Sequence, residues 1–108
     1  MKESVHKAFA PPSHPSTHVL RLFIGAPSLK SIRAVTNLRR LCEEHLHGRY
    51  DLKVIDIRQQ GQLARDEQIV AVPTLIRRLP IPLQRLVGDM SNVSQVLSGL
   101  DLTPRGHR

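Results

Sequence analysis

Apolar residues run almost unbroken through His18-Val-Leu-Arg-Leu-Phe-Ile24, interrupted by Arg21, a pattern that predicts a strand covered on both faces. Gly25-Ala-Pro-Ser28 closes it, and Ser28 is placed to cap a helix. Leu29, Ile32, Val35, Leu38, Leu41, Cys42 and Leu46 then return every few positions, predicting a long helix with an apolar stripe. Lys30, Arg33, Arg39, Arg40, Glu43 and Glu44 fall on its charged side, and Gly48 supplies the stop. Tyr50 to Ile57 alternates polar with apolar before turning solidly apolar, which predicts a second strand. Strand, long helix and strand make a βαβ unit, whose right-handed crossover sets the second strand parallel beside the first.

Beyond Gly61 the signals are shorter. Gln62 to Val70 reads as a short helix, Thr74 to Arg77 and Leu83 to Val87 as strands, and Ser91 to Leu100 as a final helix with Val93, Val96, Leu97 and Leu100 on one face. There are no internal repeats. Ahead of His18, Pro11, Pro12 and Pro15 among scattered His and Ser predict a flexible lead-in over residues 1–17.

The length, 108 residues, suits one domain. A folded part of about 90 residues buries only about 60 to 65% of its unfolded surface, which favours broad flat contacts over deep clefts. The formal charge of +7 raises the question of nucleic acid. The basic residues, however, are spread from Lys2 to Arg108 among Glu43, Glu44, Asp51, Asp56, Asp66 and Glu67. With one Tyr, two Phe and no Trp, platforms for stacking bases are missing. The expectation is a solvated basic surface or an acidic protein partner, and no nucleic acid. Met1 to Lys7 lacks the apolar centre of a secretory signal, and no apolar run nears the roughly 18 residues that span a bilayer. The expected location is the cytoplasm, with no membrane partner. The single cysteine, Cys42, suits a reducing compartment.

Candidate chemistry is sparse. His45 and His47 lie two residues apart, about 200° around a helix, where they cannot share a metal. Cys42 sits on the apolar stripe and reads as a buried small hydrophobe. Ala26-Pro27-Ser28-Leu29 stands where a thioredoxin-type site would carry paired cysteines. Neither G-x-G-x-x-G nor a P-loop occurs, and no carboxylate pair is fixed by spacing. No catalytic residue, metal ligand or cofactor is expected, so the chain reads as one that acts by binding another protein. Val72-Pro73-Thr74 taken alone is an ordinary trans proline at a strand start, although a proline before the third strand of a thioredoxin-like fold is commonly cis.

The chain from about His18 to Leu102 resembles the KaiB family. The resemblance is carried in order by Leu20-Arg-Leu-Phe-Ile-Gly25, Ser31-Ile-Arg-Ala-Val35, Gly48-Arg-Tyr-Asp-Leu-Lys-Val-Ile-Asp56 and Gln62-Leu-Ala-Arg-Asp-Glu67. It continues through Ala71-Val-Pro-Thr-Leu75, Leu79-Pro-Ile-Pro82, Val87-Gly-Asp89 and Gly99-Leu-Asp-Leu102. It implies an α/β, thioredoxin-like KaiB fold with a βαβ start, about four strands and three helices, and an alternative ground-state fold after about residue 58. The implied domain is 18–102, followed by a short basic tail, 103–108. The implied function is non-enzymatic regulation of a KaiC-type ring ATPase, modulating its phosphorylation and timing output, with KaiA or a histidine kinase as further partners and a dimer or tetramer as the ground state. Gly99 and Asp101 match positions that bias the two folds, and Arg33 and Arg85 match basic positions tied to clock interactions. Pro73, Pro80 and Pro82 fall in the switching segment, where slow X-Pro isomerisation is a candidate rate control. Two tyrosines common in clock members are replaced by His18 and Pro104, and their acidic tail by Pro104-Arg-Gly-His-Arg108. The alternative reading is a redox-inactive thioredoxin-like sensor that binds a histidine kinase.

Overall fold

Strand β1, His18–Ile24, is the spine of the molecule. The computed structural model describes residues 17–102, so the expected lead-in, except Thr17, and the expected tail lie outside the described residues. Strand β2, Tyr50–Asp56, pairs parallel with β1 from His18↔Tyr50 to Ile24↔Asp56, as the βαβ reading requires. On the other side β3, Thr74–Leu79, runs antiparallel to β1 and continues into β4, Gln84–Val87, giving the order β2-β1-β3-β4. The described residues thus hold four strands and three helices, the helices being α1 (Leu29–His45), α2 (Gly61–Asp66) and α3 (Val93–Gly99).

Side-chain alternation along β1 explains the layering. Leu20 and Leu22 point to one face, where they join Ala34, Leu38, Leu41 and Cys42 of α1, Val96 and Leu97 of α3, and Leu75 of β3. Phe23 points to the other, where it meets Ile55 and Ile76, with Leu63 of α2 packed against them. Two helices therefore cover one face of the sheet and a single short helix covers part of the other. The expectation that β1 is covered on both faces holds for Leu20, Leu22 and Phe23, all at most 1% exposed.

Several details depart from the pattern. Leu29 and Ile32, assigned to the apolar stripe of α1, are 61% and 60% exposed. The reason is geometric: each three-residue step falls about 60° short of a full turn, so the series Leu29, Ile32, Val35, Leu38, Leu41 sweeps too far round the helix to face one core. Ser31 and Ala34 take the inward positions at that end. Helix α2 stops at Asp66 rather than Val70, because Gln68 adopts a left-handed φ of 57° and Val70 is left exposed. Strand β2 ends at Asp56, one residue early, and β3 runs on to Leu79 rather than Arg77. Val93 opens α3 with its side chain exposed, while Val96, Leu97 and Leu100 are buried as expected. Gly48, at φ 72°, follows α1 in the left-handed conformation that suits glycine. The Val72–Pro73, Leu79–Pro80 and Ile81–Pro82 bonds are all cis.

The cap of α1 is the one read from the sequence. Ser28 has extended backbone angles, and its Oγ accepts a hydrogen bond from the backbone N–H of Ser31 at 3.1 Å. Ser28→Ala is expected to lower stability by about 1 kcal/mol in urea denaturation, with the same far-ultraviolet circular dichroism in the absence of denaturant.

Candidate partner-binding surface

The turn from β1 into α1 and the loop before β3 meet at one end of the sheet. A Cβ added at Gly25 would lie 3.1 Å from Val72 Cγ2, so the two loops already touch. Thr74 Oγ1 donates to the Ala71 carbonyl at 2.6 Å and the Gly88 N–H donates to the Pro73 carbonyl at 3.0 Å, which fixes the loop around the buried Pro73. Beside this junction lies an open groove of about 370 Å³, with Ile24, Pro27, Ile32 and Val35 on its apolar walls and Asp56 and Arg58 at its rim. The rim pair is bidentate, with Arg58 Nη2 2.7 Å and Nε 3.1 Å from the Asp56 carboxylate oxygens. Hydrogen bonds from the Arg58 side chain and backbone hold the Asp56 carboxyl below the usual carboxylate range. The exposed Leu29 lies at the start of α1, which flanks the groove. An exposed apolar patch with a charged rim is the anatomy of a protein contact.

Among the described residues no cysteine serves this end of the sheet. Ala26, Pro27 and Ser28 form the turn and Leu29 opens the helix, while Cys42 lies deep in α1, 1% exposed. Burial, reinforced by the Glu43 charge, pushes its thiol up to about 12. His45 has a largely buried side chain at the end of α1 and His47 an 83% exposed one, so the two do not converge. Among the described residues no three of His, Cys, Asp and Glu come together as a metal site. Nor is any described helix long and apolar enough to cross a membrane.

A second assembly joins the end of α3 to the β3–β4 hairpin. Arg77 of β3 is 1% exposed, the largest fully buried side chain among the described residues. Its Nη1 donates to Asp101 Oδ2 and its Nη2 to the Pro82 carbonyl, both at 2.8 Å, while its Nε has no hydrogen-bond partner among the described residues. Asp101 meets it from a left-handed backbone position, φ 59°, just past α3. On the same seam a Cβ at Gly99 would fall 2.7 Å from Leu86 Cδ1 of β4. The structure therefore places Asp101 and Pro82 on one contact, that of Arg77, and Gly99 against Leu86, with Pro80 exposed in the adjoining hairpin loop and Pro73 separate in the loop before β3. Arg77 is the residue that sequence reasoning missed. Its signal was an arginine directly after Thr74-Leu-Ile76 in a strand otherwise apolar at that point.

The two basic candidates lie apart. Arg33 stands exposed on α1, where it and Lys30 add to the hydrogen bonds from Ser91 that hold the Asp89 carboxyl below the usual range. Arg85 of β4 alternates with Leu86, which packs against the α1 side of the sheet, so Arg85 faces the α2 side. There its Nη2 donates to the backbone carbonyl of Glu67, whose carboxylate pairs with Arg78.

Comparison with known proteins gives a consistent picture. A family profile described as KaiB domain matches residues 21–102. The circadian clock protein KaiB3 of Synechocystis is 49% identical over 88 residues, covering 82% of this chain and 86% of its own. The circadian clock oscillator protein KaiB of Prochlorococcus marinus is 44% identical over 86 residues, covering 80% and 82%. Among solved structures, the N-terminal domain of Synechococcus elongatus SasA superposes with a TM-score of 0.66 at 22% identity, over 85% of this chain and 90% of that one. Mitochondrial thioredoxin 3 from Saccharomyces cerevisiae gives 0.68 at 13% identity, over 94% and 89%. These two show the fold, which is thioredoxin-like.

Two outcomes test the interior of this surface. Arg77→Ala removes both charged hydrogen bonds and leaves a void, and is expected to cost about 3 kcal/mol in urea denaturation. Alkylation of Cys42 by iodoacetamide in mildly alkaline solution is expected to be slower in the native chain than in the denaturant-unfolded chain by at least about a hundredfold.

Proposed function

This chain belongs to the KaiB family, and we propose that it works as a non-enzymatic regulator that docks on a KaiC-type ring ATPase and modulates its phosphorylation and timing output. The observation that carries this reading is the match over residues 21–102, nearly the whole of the described chain. The timing role is circadian, hourglass or stress-adaptive. KaiA and a histidine kinase are the further partners of the same proposal, and residues 18–102 are its working domain.

The surface supports docking in preference to chemistry. Its groove end offers apolar side chains and a neutralised Asp56–Arg58 rim, with the one described cysteine buried elsewhere as a protonated thiol. The proposal includes a second fold, in which the chain after about residue 58 rearranges and assembles as a dimer or tetramer. Local sequence supports this, since the segments after Gly61 are short and tertiary contacts decide their state. Gly99, Asp101, Pro73, Pro80 and Pro82 are its switch candidates. Support for the first two and Pro82 comes from their place at the Arg77 seam, which ties α3 to the hairpin. Arg33 and Arg85 are the partner-binding candidates.

The test is retention of the full chain by an immobilised KaiC-type ATPase, with ATP or ADP and long incubation. Retention is the expected result, accompanied in two-dimensional NMR by changes after Gly61 and, in the free chain, by a mass above that of a monomer. Failure of the ring to hold it, with capture by a histidine kinase instead, would replace this reading with that of a thioredoxin-like kinase sensor.

A further inference from the structure

Strand β2 is an edge of the described sheet, and on the α1 side it keeps a half-covered apolar row. Tyr50 and Leu52 pack against the α1-side core, and alternation puts Val54 in the same row, yet all three stay partly exposed. The register sets these residues beside His18, Leu20 and Leu22 of β1. The next position of the row is Asp56, opposite Ile24, at the rim of the open groove of about 370 Å³. An apolar track thus runs from the start of β1 to the groove, where Ile32 stands 60% exposed on the wall that α1 supplies.

The chain itself enters the fold at the other end of this track. The His18 N–H donates to the Arg49 carbonyl, so the chain joins the sheet beside the start of β2. Residues 1–16 precede the described fold, and Val5 and Phe9 are large apolar side chains among them. Pro11, Pro12 and Pro15 stand between Phe9 and Thr17. Proline lacks the N–H that would pair with a sheet edge, which favours passage alongside β2 over addition as a further strand. Extended proline-rich chain advances about 3.1 Å per residue, so the eight steps from Phe9 to Thr17 reach about 25 Å. The seven residues of β1 span about 20 Å, which leaves a few ångströms for the reversal.

We infer that residues 5–10 of this chain dock in the groove, with the Phe9 ring against Ile24, Pro27, Ile32 and Val35 and the proline-rich stretch along Tyr50, Leu52 and Val54. Tethering gives the segment an effective concentration of about millimolar, so a contact made chiefly by one aromatic ring is populated without a second molecule. Docked there, the segment is an internal competitor, which any protein using the groove has to displace. The groove residues all lie within 24–58, ahead of the stretch proposed to rearrange, so this docking is independent of that rearrangement and of which protein the chain binds.

The test uses the full chain with a nitroxide attached through Ala8→Cys, read by two-dimensional NMR; Cys42, 1% exposed, is shielded from the labelling reagent. The nitroxide is expected to broaden the amides of Ile32, Val35 and Arg58 and to spare those of β4, at the far edge of the sheet. Phe9→Glu, outside the described domain, and Ile32→Glu, at an exposed position, are each expected to lower occupancy about tenfold and to restore the broadened peaks. When the nitroxide-bearing chain is mixed with an isotope-enriched chain that lacks the nitroxide, the enriched chain is expected to show no broadening. Broadening centred away from the groove or spread evenly over the domain overturns the docking, as does broadening that survives both substitutions. Broadened groove amides in the mixed sample overturn it too, and make a second copy the occupant.

Discussion

A single buried guanidinium holds the end of α3 to the β3–β4 hairpin. Arg77 sits on the strand next to β1 and reaches two places, the Asp101 carboxylate 24 residues on, past α3, and the Pro82 carbonyl in the adjoining hairpin loop. A buried charge is costly unless paired, so this contact leaves α3 and the hairpin little freedom to dock in any other register. The pairing is incomplete at Nε, and Asp101 is 66% exposed, so the clamp opens toward solvent at one end. That combination of a demanding buried partner and a half-solvated ligand makes the seam the point where the packing of α3 is decided.

The first half of the fold was legible because its signals are long. Seven residues of β1, seventeen of α1 and seven of β2 each carry enough periodicity to override local exceptions such as Arg21. The parallel crossover then followed from chain geometry alone. The second half was legible in outline and not in detail. Ile69 and Val70 extended the apolar pattern of α2, but a left-handed residue at Gln68 ends the helix before them. Leu29 and Ile32 kept the rhythm of a buried stripe while their angular drift carried them to the outside. Arg77 carried only the faint signal of an arginine after Thr74-Leu-Ile76, and nothing local names its partner, which stands 24 residues on in a turn.

The candidate surface divides the same way. The missing cysteine pair at Ala26–Leu29 and the inert Cys42 were readable from residue types. The groove was not, since it depends on the start of α1 and the end of β2 meeting beside Ile24. Of the positions carried by family resemblance, Asp101 and Pro82 lie far apart in sequence. In space both accept from one arginine, Gly99 packs nearby against Leu86, and Pro73 stands apart in the loop before β3.

The separation of Arg33 from Arg85 sets a limit on any contact. One lies on the outer surface of α1 and the other beneath the sheet, so a helix layer and a strand layer, about 10 Å from centre to centre, stand between them. A flat neighbour seated on either residue leaves the other bare. A chain that used both residues would therefore need two neighbours, one on each side of the sheet.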